Sequence, residues 1–447
     1  MIKVSIIMPL YNTAKYLSES IGSVLNQTLR EFELICINDA STDDTLEILR
    51  EFSKRDNRIK ILTNETRSGA AYSRNRGIKE ASGKYLSFLD GDDVFEEEML
   101  ECAYATAEEH HTDVVVFEMK HCISENIHIK QKTFHSELFF KRYCNATFKV
   151  KDQMPYEFMN WQLGPTNKLY NRKFILSNHL EFQNLSCEND AYFVCMSLML
   201  AQRLLYLNDW RVMIYARDHD DLTRISYDRD PNCSYFAFLH IAEELKKRNK
   251  FSEVYPQYYY QMFYSVRNSL LKCRTEEKAR DFYQFLQQEG IDRICSLGGE
   301  YYNQLDDFIS NSLSQFKNQE FETQWYKEEQ GLMIQLSQKR NAEAVINLFA
   351  EYQSSHKAIG VWGVGANGVS LLDFCEVNDL KIDMVIDRSK EKQGHVINGH
   401  IVMPPEEIGS KLQVVIITAK YIFPSIMEEL SGRDIEVIDI NQFLGIY

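Results

Sequence analysis

Between Lys3 and Asp93 four short apolar runs alternate with segments of helical periodicity, and three of the runs end in polar clusters. Lys3 to Met8 leads into Tyr11-Asn12, Phe32 to Ile37 into Asn38-Asp39, and Tyr85 to Leu89 into Asp90-Gly91-Asp92-Asp93, with Ile59 to Leu62 between them. Leu17, Ile21, Val24 and Leu25 recur at helical spacing, and further helices are expected from about Asp43 and over Ser68 to Ala81. Strand-helix alternation of this kind demands a mainly parallel sheet with helices on both faces. Ligands of such sheets bind beyond the carboxyl ends of the strands, which is where the polar clusters fall.

Past Val114 to Phe117, another strand, residues 150–230 mix short strands and helices. The chain then reads as helix after helix to about residue 345. From Lys357 the pattern returns to α/β, with strands at Ala358 to Trp362, Ile382 to Ile386 and Val414 to Thr418. A length of 447 residues suits several domains. A net charge of -15 argues against a nucleic-acid partner, which needs basic surface. The ten cysteines are scattered without a Cys-x-x-Cys pair, the pattern of buried, reduced thiols. Met1 to Pro9 reads as a strand and not a leader, and Ala191 to Leu200 is too short to span a bilayer. The expectation is a cytoplasmic protein, compatible with peripheral contact on the inner face of the membrane and with a homo-oligomer.

Three carboxylates within Asp90 to Asp93 repel one another unless a cation is shared. Hard oxygen donors suit Mg²⁺ or Mn²⁺, which bind through one or two carboxylates plus substrate phosphates. The alternative is a solvated turn that caps a helix at Glu96. Asp39 suits a nucleobase ring N–H or, alternatively, the cap of the next helix. Arg74 and Arg76, on the helix from Ser68, carry forks matched to phosphate or carboxylate.

Val4-Ser5-Ile6-Ile7-Met8-Pro9-Leu10-Tyr11-Asn12, Leu25-Asn26-Gln27-Thr28, Ile37-Asn38-Asp39-Ala40-Ser41-Thr42-Asp43, Ser73-Arg74-Asn75-Arg76-Gly77-Ile78, Gly83-Lys84-Tyr85 and Phe88 to Asp93 occur in this order. Together they resemble the family 2 glycosyltransferases with their GT-A fold. The resemblance implies that Pro9, Tyr11 and Asn12 line a nucleotide pocket and that Asp39 contacts the nucleobase, commonly uracil. It places Arg74 near the diphosphate or nucleobase, and makes Asp90 and Asp92 an Asp-x-Asp motif with Asp92 as the direct metal ligand. Asn38 stands where the family often has a second acid.

An inverting transfer needs a general base on the far side of the sugar from the leaving diphosphate. In Glu188-Asn189-Asp190-Ala191-Tyr192-Phe193, after Asn167-Lys168-Leu169-Tyr170-Asn171-Arg172-Lys173-Phe174, the resemblance points to Asp190, then Glu188. The alternative role for Asp190 is the cap of the following helix. The segment Tyr215 to Thr223 resembles the end of the family's catalytic domain, with Arg217 near the diphosphate and His219 as a further metal ligand. Trp161 and Trp210 offer faces for a sugar or fill the core.

Near the C-terminus, Gly363-x-Gly365-x-x-Gly368 follows a strand and opens a helix, with Asp387 at the end of the next strand. That context suits a dinucleotide fingerprint, glycines at a pyrophosphate and Asp387 at the ribose. The bland alternative is helix packing in a Rossmann-like unit used for assembly. The expected organisation is a GT-A domain over 1–230 (a nucleotide-binding half, 1–110, and an acceptor half, 111–230), a helical region over 231–350 and a Rossmann-like domain over 356–447. The expected activity is transfer from a nucleotide-sugar, with UDP the favoured nucleotide, to a glycan or lipid-linked acceptor in surface polysaccharide synthesis. The competing readings are an NAD-linked or epimerase-type enzyme acting through the C-terminal unit, and a non-catalytic sugar-nucleotide binder.

Overall fold

A computed structural model describes residues 1–124, 127–131, 143–153, 158, 161, 163–209, 211–217, 230–273, 275–318, 320–321, 339–408, 411–418 and 423–443. The chain divides into two compact units, one drawn mainly from residues up to 320 and the other mainly from those beyond.

In the first unit β1 (Val4–Leu10) lies between β2 (Phe32–Asn38) and β4 (Tyr85–Phe88), parallel to both, and β3 (Ile59–Thr63) forms the edge beside β2. The expected parallel sheet is therefore present. These strands are almost uninterrupted apolar runs because helices cover both faces. Leu17, Ile21 and Val24 of α1 (Ala14–Leu25) and Met99, Leu100, Ala103 and Ala107 of α4 (Met99–His110) fill one core. Helix α3 (Ala70–Glu80) packs against β1 and β2 through Gly77, where a Cβ would stand 2.4 Å from Ile7. Helix α2 (Thr45–Arg55) follows β2.

Beyond β4 the sheet changes sense. β9 (Lys168–Asn171) inserts antiparallel between β4 and β6 (Val114–Ser124), pairing Tyr85 with Asn171 and Val114 with Tyr170. β7 (Ile127–Gln131) pairs with β6, and β10 (Leu204–Leu207) lies parallel to β6 and antiparallel to β8 (Thr147–Phe148). The short strand β5 (Val94–Phe95), directly after the acidic turn, pairs with β11 (Met213–Arg217). Helix α4 begins at Met99, so the cap expected at Glu96 is not formed; Glu96 instead accepts from the Tyr215 hydroxyl at 2.9 Å. Trp161 is buried beside Phe148 and Phe158 and belongs to the core.

Helices Cys233–Lys247, Phe251–Lys272, Glu276–Phe285, Ile291–Gly298 and Asp307–Asn318 follow, the third and fourth joined by a π-helical turn at Leu286–Gly290. Three of their buried tyrosines place the hydroxyl on a main-chain carbonyl, Tyr235 on Gly290, Tyr258 on Phe238 and Tyr259 on Ile294, and Tyr260 donates to the Asp306 carboxylate. Among the described residues no helix is long and apolar enough to cross a membrane, and the described cysteines are free thiols.

The second unit is an open sheet. Its central strand, Ile359–Trp362, is parallel to Met384–Ile386 on one side and Val414–Ile417 on the other, and His400–Met403 and Glu436–Asp439 extend it outward. Winding outward in both directions from the first strand is the doubly wound, Rossmann-like order. Helices Lys339–Ser354 and Ala366–Val377 fill one face with Ala342, Val345, Phe349, Leu371 and Phe374, while Ile426 and Leu430 close the other. The unit thus recruits a helix, Lys339–Ser354, that the sequence pattern assigns to the helical region ending at 350.

Candidate functional site

The polar clusters of the first unit do gather at the carboxyl ends of its parallel strands. β1 outruns β4, whose pairing stops at Ile7 with Phe88. Pro9, which has no N–H to give, stands past that point, still in register with Ile37 of β2. Asn12 then turns the chain with φ 52°, a conformation Asn tolerates better than most residues. Its side-chain oxygen accepts from Thr42 N at 2.8 Å, and its main-chain N–H donates to Ser41 Oγ at 3.1 Å. Asn12 therefore locks the loop after β1 to the loop after β2. The Tyr11 ring lies under the Arg67 guanidinium, 4.1 Å from its centroid.

Asp39 does not cap a helix. Its Oδ1 accepts from Asn64 Nδ2 at 2.6 Å and Ser68 N at 2.8 Å, and its Oδ2 from Gly69 N at 2.8 Å. The buried carboxylate thus gathers the 64–69 loop around the end of β2. Asn64 also donates to Ser73 Oγ at 3.0 Å and accepts from Arg76 Nη1. Sequence reasoning passed over Asn64 and Arg67. Asn64 follows β3 as Asn38-Asp39 ends β2, and that strand-end position was the available signal.

The acidic turn is compact. Asp93 N donates to Asp90 O at 3.1 Å. Gly91 sits where a Cβ would meet Leu10 Cδ2 at 2.2 Å, so a larger residue between the two motif acids would require the Leu10 side chain to move. Gln27, fully buried, anchors the chain just downstream. Its amide N donates to Glu96 O at 2.6 Å and Ser23 O at 3.2 Å, and its amide O accepts from Leu100 N at 2.9 Å.

Arg74 brings the distant halves together. Its side chain is 4% exposed; Nη2 donates to Asp90 Oδ1 at 2.7 Å and Nη1 to Asp190 Oδ1 at 2.5 Å. The neighbouring Asn75 stitches in the same segment, donating to Phe182 O at 2.9 Å and accepting from Phe182 N at 2.8 Å. Asp190 stands at the N-cap of Ala191–Leu200 but makes no side-chain cap bond, so the capping alternative does not describe it. Glu188 precedes it with φ 52°. Beneath lies an aromatic floor: Phe182 stacks on Phe193 at 4.1 Å, and Phe88 and Tyr170 close edge-on around them. Desolvation on this floor pushes the Asp190 carboxyl up to about 6; Arg74 and Lys168 pull it down, while Asp90 and Glu188 push it further up.

Lys168, buried in β9, has its amine pushed down to about 7 by desolvation, opposed by Cys195 and Asp190. It donates to Gly164 O and Asn167 Oδ1, both at 2.7 Å. Tyr170 buries its hydroxyl without a hydrogen-bond partner. Neither was singled out from the sequence, because a Lys and a Tyr inside a short strand carry no distinctive period. Arg217 closes β11, and His219 and Trp210 lie outside the described residues.

The carboxylates suit a hard divalent cation. Asp90 gives one oxygen to Arg74, yet its side chain is 41% exposed, so an oxygen remains for an ion shared with Asp92. Among the described residues no three His, Cys, Asp or Glu side chains gather closely enough to hold a metal alone. Two carboxylates completed by phosphate oxygens is the arrangement Mg²⁺ takes.

In the second unit Gly363 adopts φ 102°, and a Cβ on Gly368 would stand 1.7 Å from Gly363 O. Asp387 accepts from Val364 N at 2.9 Å and Ser389 N at 2.8 Å. Gly363, Gly368 and Asp387 thus close the strand-helix turn on itself, while around a Cβ at Gly365 the space is open.

Known proteins share parts of this sequence and fold. Residues 5–173 match the model of Glycosyl transferase family 2, and residues 302–434 match that of the C-methyltransferase C-terminal domain. The latter is a more specific kinship for the second unit than the general Rossmann-like expectation. Glycosyltransferase GlyG of Streptococcus pneumoniae is 29% identical over 231 residues, which is 50% of this chain and 74% of that protein. Poly(ribitol-phosphate) beta-N-acetylglucosaminyltransferase TarS of Staphylococcus aureus is 30% identical over 249 residues, 55% of this chain but only 41% of that protein. The crystal structure of S. aureus TarS 1-349 in complex with UDP-GlcNAc superposes with a TM-score of 0.56 at 24% identity, covering 71% of this chain and 89% of that one, and shows a common fold. The first unit is accordingly a GT-A α/β structure, and the chain carries a family 2 glycosyltransferase domain.

Proposed function

We propose that the first unit is an inverting glycosyltransferase that moves a sugar from a UDP-sugar to a glycan or lipid-linked acceptor of a surface polysaccharide. The observation that carries the reading is the joint grip of Arg74 on Asp90 and Asp190, which sets an acid of the donor side and a candidate general base in one cluster. Asp190 takes the proton of the acceptor hydroxyl as that oxygen bonds to the anomeric carbon and the bond from carbon to diphosphate breaks. A carboxyl held near 6 is ionised at neutral pH yet basic enough to accept that proton. Asp90 and Asp92 would hold a Mg²⁺ or Mn²⁺ ion, which neutralises charge growing on the leaving diphosphate. A uracil reading is supported by Asp39, whose Oδ2 accepts one N–H and keeps room for another, and by the Tyr11 and Arg67 stack. The nature of the acceptor rests on relatives such as the poly(ribitol-phosphate) beta-N-acetylglucosaminyltransferase of S. aureus.

The test is Asp190→Asn, assayed for release of UDP across a panel of UDP-sugars with Mn²⁺ or Mg²⁺ and for UDP binding by calorimetry. Turnover should fall by a thousandfold or more, on the order of a lost general base, with UDP affinity unchanged. Full activity in the variant would remove Asp190 from the mechanism.

A further inference from the structure

We propose that Arg74 is the positioning residue of the general base and not a contact of the donor diphosphate; this rests on the reading of Asp190 as that base. An arginine that binds a diphosphate must turn its fork toward a site a ligand can enter. Arg74 turns its fork inward, with one Nη on each of two carboxylates and the guanidinium carbon 5.3 Å from the Phe182 ring centroid. Each Nη gives one of its two N–H groups to a carboxylate, Nε is buried with no partner, and the side chain as a whole is only 4% exposed. The side chain therefore has no group at the surface to offer a phosphate.

Asp190, for its part, depends on this contact. Its side chain makes no bond to the helix it precedes. Among the described residues its carboxylate accepts a hydrogen bond from the Arg74 guanidinium. Phe193, one turn further along that helix, stacks on Phe182, the ring that the Arg74 guanidinium also faces. Withdrawing Arg74 toward a ligand would leave an ionised carboxylate unpaired over an apolar floor, which is costly. Keeping Arg74 in place fixes the direction of Asp190 and its separation from Asp90. A planar fork does this where a lysine ammonium, a single rotating point charge, cannot.

The role is read from a split between binding and turnover. Arg74→Lys keeps the charge and loses the fork. UDP affinity by calorimetry and the KM for donor should stay within about threefold of the parent, while kcat falls about a hundredfold, on the scale of a misplaced catalytic group. A tenfold or larger loss of UDP affinity, with or without a loss of kcat, overturns the proposal in favour of a diphosphate contact, as does an unchanged kcat. Asp190→Asn, run in parallel, separates the two claims. If that variant keeps its turnover the base reading fails first; if it is dead while Arg74→Lys turns over normally, only the positioning role fails. Should Arg74→Lys not fold, the parent protein decides through NMR of its arginine guanidinium groups. Arg74 signals unmoved by UDP and a divalent cation support the proposal, and signals that shift into the exchange regime of a phosphate-bound guanidinium overturn it.

Discussion

Replacing Asp39 by Asn removes a charge and one acceptor while leaving the shape almost unchanged, so its cost can be worked bond by bond. The carboxylate accepts from Asn64 Nδ2, Ser68 N and Gly69 N. The least damaging placement of the amide keeps its oxygen toward Asn64 and Ser68 and turns its NH₂ toward Gly69 N, so two donors face each other. Asn64 cannot flip to compensate, because its own amide is committed to Ser73 and Arg76. Losing the bond to Gly69 costs about 1.5 to 3 kcal/mol, and weakening two charged bonds to neutral ones costs about 1 kcal/mol each. The expected loss is therefore about 3.5 to 5 kcal/mol, a large share of the roughly 5 to 15 kcal/mol that holds a typical domain. Urea unfolding followed by a probe in the first unit should show it, and UDP affinity should fall at temperatures where the variant is still folded. A destabilisation under about 1 kcal/mol would refute the view that Asp39 holds the 64–69 loop, whatever else it binds.

Two further outcomes are expected. Gly368→Ala gains roughly 1 kcal/mol of helix propensity but drives a Cβ to within 1.7 Å of Gly363 O, which is itself held by Thr418 Oγ1 at 2.8 Å. The clash should win, and the melting transition of the second unit should fall by several degrees with UDP release unchanged; a higher transition would show that the turn relaxes freely. Asp190 is pushed up to about 6, chiefly by desolvation, so kcat/KM should drop about tenfold per pH unit below pH 6 as the base takes a proton. The sign for stability is opposite. A carboxyl whose folded value lies above its unfolded one of about 3.9 stabilises the fold most below that value, and the contribution fades as pH rises through 6. A flat kcat/KM between pH 4.5 and 7 would contradict the assignment.

β1, β2 and β4 were legible because each is buried on both faces and so reads as an apolar run ending at a polar cluster, while the edge strand β3 is only partly buried and was legible from its short apolar run alone. The acidic turn and the Asp39 corner followed from that rule. The partnership of Arg74 with Asp190 did not. Arg74 and Ser73 lie on the buried side of α3 beside Ala71 and Ile78, and a helix pattern assigns such polar residues to solvent. Ser73 is inside because it bonds Asn64 at the end of β3, and Arg74 because the chain that follows β9 brings Phe182 and Asp190 onto that face. Lys168 and Asn171 within β9 disguise the strand, since a buried polar residue looks the same in sequence as an exposed one until its partners are known. Asn12 and Asn75 were visible as motif letters, but their service as clasps between loops rests on partners about 30 and 107 residues away.

The amide of Gln27 has a consequence for whatever occupies the acidic turn. Gripping Ser23, Glu96 and Leu100 through their main chains, it ties the stretch after Asp93 to the end of α1. A ligand arriving at those acids meets a rigid seat and spends none of its affinity on ordering a loop. Weakening that clasp, as Gln27→Ala would, should therefore register as looser binding of an ion that Gln27 itself never touches.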